Sequence, residues 1–209
     1  MSYSNKTNST AQKRTEKRFD KPYFEGYIEN EKTRIDHFQS LLSDCKTDVQ
    51  VQKCNLFLFN LYKNVIYCRC SLKKIESVQF NDEFYAEVKE FLALYKKLST
   101  LLPESEIIDA LAIDYLFSNQ TDAAFNVFYS KLKELSRFDV YREIYSLTPS
   151  ELATFMKERW YSMCGTEDFP WYDSHLNEHD TFVGYFSFVA SAIAKKNALP
   201  ANTINFLIE

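Results

Sequence analysis

Apolar residues recur along this chain at the steps of three and four that place them on one face of an α-helix. Phe24, Ile28, Ile35, Phe38 and Leu42 form the first such stripe, with Asp20 as its N-cap, a helix starting at Lys21 and Pro22 tolerated in the first turn. Glu31 occupies the missing slot of that stripe, so it lies either at the edge of the buried face or paired within it. Val51, Cys54, Leu58, Leu61, Val65 and Cys68 predict a second helix from about Asp48 to Lys74. Phe84, Val88, Phe91, Tyr95, Leu98 and Leu102 predict a third, starting near Asn81. Each stripe is about three heptads long and is flanked by further apolar residues, which favours antiparallel packing in a bundle over a coiled coil.

Pro103 closes this half of the chain, and the pattern then resumes in shorter pieces. Ile107, Ile108, Leu111, Tyr115 and Leu116 share one helix; Ala124, Val127, Phe128, Leu132 and Leu135 share the next; Arg137 to Ser146 reads as a short one. Thr148-Pro149-Ser150-Glu151 is a helix start, with a threonine cap, proline at the first helical position and a glutamate three residues after the cap. Leu152, Phe155, Met156 and Trp160 follow on the helix it opens. Cys164 to His179 is expected to be non-helical, after which Phe182, Tyr185, Phe186, Val189 and Ile193 make a last amphipathic helix before Pro200. The expectation is an all-α, multi-helix antiparallel bundle of about eight to nine helices, built as two helical halves sharing one core. The predicted organisation is a disordered basic arm over 1–17, an N-terminal half over 18–102 and a C-terminal half over 103–209.

Composition agrees. The 209 residues include only 3 Gly and 5 Pro, too few for the many tight turns of a sandwich or barrel, while a hydrophobic share of 45% suffices for a core. No apolar run approaches the length a membrane helix needs, and the polar N-terminus lacks the apolar stretch of a signal peptide, so a cytoplasmic protein without membrane contact is expected. Cysteines 45, 54, 68, 70 and 164 lack a disulfide-framework spacing and read as small, mostly buried hydrophobes. The net charge of −4 is split unevenly. Residues 1–102 carry 17 Lys and Arg against 13 Asp and Glu, whereas residues 103–209 carry 8 against 16. The C-terminal half should therefore attract a basic partner and repel nucleic acid.

Catalytic signatures are largely missing: there is no Gly-rich phosphate loop, no G-x-S-x-G elbow and no H-E-x-x-H helix. His175 and His179 stand four apart downstream of Cys164, but no paired Cys-x-x-C accompanies them, so neither a metal nor another cofactor is expected. His179-Asp180 resembles the metal-dependent HD phosphohydrolases, which need more histidines than this chain supplies. Asp109 and Asp114, five apart, share no helix face well and read as solvated charges. One segment stands out. Cys164 to Thr181 holds Glu167, Asp168, Asp173, Glu178 and Asp180 without a Lys or Arg, with Phe169, Trp171 and Tyr172 among them. Aromatic anchors beside steering acids suit a protein interface; the competing reading is that Trp171 and Tyr172 plug the loop onto the core. Glu167, Asp168, Trp171, Tyr172 and Asp173 are thus the first candidates for partner contact, with Asp109, Asp114 and Asp122 as a second set.

Two blocks together resemble a known family. Arg18, Asp20, Tyr23, Phe24, Tyr27 and Ile28 fit the opening helix of the PoNi immunity proteins, and Tyr67-Cys68-Arg69-Cys70 resembles that family's Tyr-Ser-Arg-Gly segment. Ile108 to Tyr115 with Asp122, Trp160-Tyr161, Trp171-Tyr172 and Gly184 to Lys195 are similar to its C-terminal blocks, except that Phe186 replaces a tryptophan and Val189 a glutamate. The resemblance implies an all-helical bacterial cytosolic protein, not an enzyme, that binds and neutralises a cognate antibacterial DNase toxin of the PD-(D/E)xK type encoded nearby. Occlusion of the toxin's basic DNA-binding surface would need no chemistry. A metal-dependent hydrolase using His175, His179 and Asp180, and an α-solenoid scaffold, are the alternatives. The sequence leaves a homodimer open.

Overall fold

The computed structural model describes residues 20–76, 79–134, 139–166 and 186–198. Among these, every regular element is a helix. They are α1 (Lys21–Leu42), α2 (Asp48–Glu76), α3 (Asp82–Leu98), α4 (Glu104–Ile113), α5 (Asp122–Glu134), α6 (Asp139–Ser146), α7 (Pro149–Glu158), α8 (Trp160–Thr166) and α9 (Phe188–Lys196), with a π-helical turn over Asp114–Ser118. The all-α bundle read from the sequence is the observed fold.

Caps set the boundaries. Asp20 Oδ1 accepts from the Tyr23 amide at 3.2 Å, and Asn81 Oδ1 accepts from the Phe84 amide at 3.0 Å, so each satisfies an amide that the helix itself leaves over. Asp82 and Glu83 in the first turn of α3 and Lys96 and Lys97 in its last turn complement the helix dipole. At the start of α7, the Glu151 carboxylate accepts from the Thr148 amide at 2.8 Å and from its hydroxyl at 2.6 Å. Ser187 caps α9 through the Ala190 amide, so Phe186 precedes that helix, although its ring is buried.

Contacts between helices give their directions. Phe38 stacks on Phe57 while Glu31 meets Asn64, so α1 and α2 run antiparallel. Phe59 stacks on Phe91 while Arg69 meets Glu87, so α3 runs antiparallel to α2 as well. Lys63 meets Glu106 and Tyr67 meets Asp109, a pairing that rises together and makes α4 parallel to α2. Buried side chains from α1 through α9 form one cluster, in which Phe59, Phe84, Phe91, Phe128 and Phe188 are fully enclosed. The two halves share that core.

Several expectations need correction. The third stripe leaves the helix at Leu98, and Leu102 lies in the turn that follows. Trp160 does not end the helix opened at Thr148; that helix stops at Glu158 and Trp160 starts α8. Cys164 to Thr166, expected to be irregular, form the last turn of α8. Leu116 lies in the π turn, where the Asn119 amide reaches back five residues to the Asp114 carbonyl at 2.8 Å. The predicted arm, and Phe182 and Tyr185, lie outside the described residues. No described helix is long and apolar enough to cross a membrane.

Candidate functional site

Two polar seams cross the described bundle. The first joins the three N-terminal helices. Glu87, only 7% exposed, faces Arg69 of α2 and accepts from its Nε at 2.5 Å and from Nη2 at 2.6 Å. Arg69 also meets Glu83 at 2.8 Å, and Glu83 in turn pairs with Lys32 of α1. Burial pushes the Glu87 carboxyl above its ordinary value despite the guanidinium, whereas Lys32 and Arg69 hold the more open Glu83 below. Glu31, 3% exposed, pairs with Arg34 at 2.6 Å and accepts from Asn64 at 3.1 Å, so it is paired within the buried face. Beside this seam opens a groove of about 480 Å³ lined by Ile28, Leu72, Phe80 and Phe84, with four basic and three acidic side chains around them. That mixture gives the groove no preference for a ligand of either charge.

The second seam joins the halves. Lys63 of α2 holds both carboxylate oxygens of Glu106 at 2.5 and 2.7 Å, and one turn on the Tyr67 hydroxyl donates to Asp109 Oδ2 at 3.2 Å. The Tyr67 ring packs edge-on against Phe188 of α9, with centroids 4.7 Å apart. Burial, then the neighbouring Glu106, pushes the Asp109 carboxyl from 3.8 up to about 7, while Lys63 and the Tyr67 hydrogen bond pull the other way. Tyr67 is raised well above its ordinary value for the same reason, burial first and Asp109 second.

The second candidate set is therefore not gathered into one place. Asp109 is held inside the seam and is not the solvated charge its spacing had implied. Asp114 begins the π turn near Tyr95 of α3, whose phenol is raised by burial first and by this carboxylate second. Asp122 is exposed at the start of α5 and takes the Lys196 ammonium of α9 at 2.7 Å. Glu134 pairs with Lys131 and Glu143 with Arg159, so these two acids, like Glu106 and Asp122, are each held by a base. Glu167, Asp168, Trp171, Tyr172 and Asp173 lie outside the described residues, as do His175, His179 and Asp180. Among the described residues no group of His, Cys, Asp and Glu is placed to hold a metal ion.

The C-terminal half carries the family signal. Residues 107–204 match the family of PoNe immunity proteins (PoNi), C-terminal. The PoNi match begins inside α4 and runs past α9, so it takes in Asp109, Asp114, Asp122 and the acidic segment 167–180. It bears out the resemblance carried by Trp160-Tyr161, Trp171-Tyr172 and the α9 block. The two departures from the PoNi pattern, Phe186 and Val189, are both buried in the core. No curated protein and no solved structure matches the chain.

Sequence reasoning missed the seam itself. Tyr67 and Arg69 stood in the N-terminal block that resembles the family, and Asp109 stood among the candidate acids. Nothing in periodicity joins residues 42 positions apart, as Tyr67 and Asp109 are.

Proposed function

We propose that this chain is a bacterial immunity protein that binds a PoNe-type DNase and keeps DNA off it. The match of residues 107–204 to the PoNi family carries the reading. A DNase presents a basic surface to phosphates, and an acidic protein seated there competes with DNA directly. Glu167, Asp168, Asp173, Glu178 and Asp180 fall within one stretch of sequence that carries no Lys or Arg, which supports placing the attraction there. Trp171 and Tyr172 among them supply the aromatic anchors that concentrate binding energy at interfaces. Glu167, Asp168, Trp171, Tyr172 and Asp173 are the proposed contact residues, and Asp122, the exposed member of the second set, is proposed beside them. The chain acts in the cytoplasm, in equal number with a toxin encoded nearby, of the PD-(D/E)xK nuclease class, and without turnover.

The test is Trp171→Ala combined with Asp173→Lys in cells that express the toxin. Protection is lost or weakened while the helical circular-dichroism signal of the purified variant stays intact. Unchanged protection makes the segment structural and moves the interface elsewhere.

A further inference from the structure

Cys45 follows α1 in the connection to α2, and Cys54 lies in the second turn of α2. Their sulfurs stand 3.6 Å apart, within sulfur hydrogen-bond range. The Cys45 thiol donates to the Leu41 carbonyl at 3.4 Å, which leaves the proton between the sulfurs to Cys54. Both side chains are half-buried, whereas Cys68, Cys70 and Cys164 are buried.

We propose that Cys45 and Cys54 form a dithiol modification site, oxidised by low-molecular-weight disulfides to an intrachain bond that staples the α1–α2 corner. A thiolate of the pair attacks one sulfur of glutathione disulfide, forming a mixed disulfide and releasing one glutathione thiolate, which takes up the proton. The second thiolate attacks the protein sulfur of that mixed disulfide and expels the second glutathione. Two protein thiols are oxidised to one disulfide, and glutathione disulfide is reduced to two glutathiones. Closure to a disulfide brings the sulfurs to about 2.05 Å. Cys45 lies outside any helix, so the connection over 43–47 can follow that movement. Burial and the adjacent Cys54 raise the Cys45 thiol, which makes exchange slow at neutral pH and faster as pH rises. Burial protects the remaining thiols more strongly: Cys68 and Cys70 are both pushed far above the ordinary range.

The full chain is incubated with glutathione disulfide at about pH 8, then unfolded in guanidinium with iodoacetamide and mapped by mass spectrometry. The expected product is a monomer two hydrogens lighter, with a Cys45–Cys54 cross-linked peptide and with Cys68, Cys70 and Cys164 alkylated. Its thermal midpoint lies above that of the reduced chain. In Cys54→Ser the reaction halts at a glutathione adduct on Cys45, which shows that Cys45 is reachable. Lasting glutathione adducts on both cysteines of the unaltered chain, a cross-link to any other cysteine, or failure of either residue to react overturns the proposal.

Discussion

Asp109→Asn isolates the seam between the halves. The asparagine carbonyl keeps an acceptor for the Tyr67 hydroxyl and removes the charge that burial disfavours. Asp109 has its carboxyl raised from 3.8 to about 7, so the folded chain holds that proton more tightly than the unfolded chain does. The contribution is therefore present in full below the unfolded value and is lost as pH rises through about 7. The rise from 3.8 to about 7 corresponds to about 4 kcal/mol. Asp109 keeps some contact with water, which screens the charge and makes about 2 to 4 kcal/mol the working range. Urea unfolding of both chains, followed by circular dichroism between about pH 4 and pH 8.5, reads the difference. The two chains are expected to be nearly equal at the acid end, with the variant more stable by about 2 to 4 kcal/mol at the alkaline end. A difference that does not change with pH, or a variant weakened at alkaline pH, refutes the reasoning.

Further changes test the buried ion pair and the helix backbone. Arg69→Ala strands the Glu87 carboxylate in the core and costs about 3–5 kcal/mol in urea unfolding, whereas Arg69→Met with Glu87→Leu recovers most of that loss. Gly26 lies inside α1 with open space where a Cβ would go, so Gly26→Ala raises stability by about 0.5–1 kcal/mol, read as a higher thermal midpoint. Ala198 follows the Asn197 cap of α9 at φ 51°, left-handed backbone that favours glycine, and Ala198→Gly is expected to stabilise by about 1 kcal/mol in the same assay.

Local chemistry was legible wherever neighbours in sequence decide it. Asp20, Asn81 and the Thr148 to Glu151 start each act within one helical turn, and their caps appear where the residues place them. Glu31 in an apolar stripe was a readable sign of a buried partner, and Arg34 lies one turn away. Legibility ended where distant segments meet or where a helix breaks without a strong signal. Arg159 carries no Gly or Pro to announce the break between α7 and α8, and the π turn at Asp114 follows a continuous apolar pattern. A stripe identifies the face that is buried but not the helix that buries it, so Tyr67 and Asp109 could not be paired from the sequence. Charge went the same way: a count over residues 103–209 is readable, but only the ion pairs separate matched acids such as Asp122 from the surplus.

The central claim is that this bundle silences a nuclease by occupying its DNA surface. Cleavage of DNA by the purified PoNe-type toxin, titrated with the purified chain, tests it most directly. The account predicts that cleavage falls to nothing at equal molar amounts, with the toxin released from DNA as the complex forms. Undiminished cleavage in the presence of excess chain, or a complex in which the toxin still holds DNA, contradicts it.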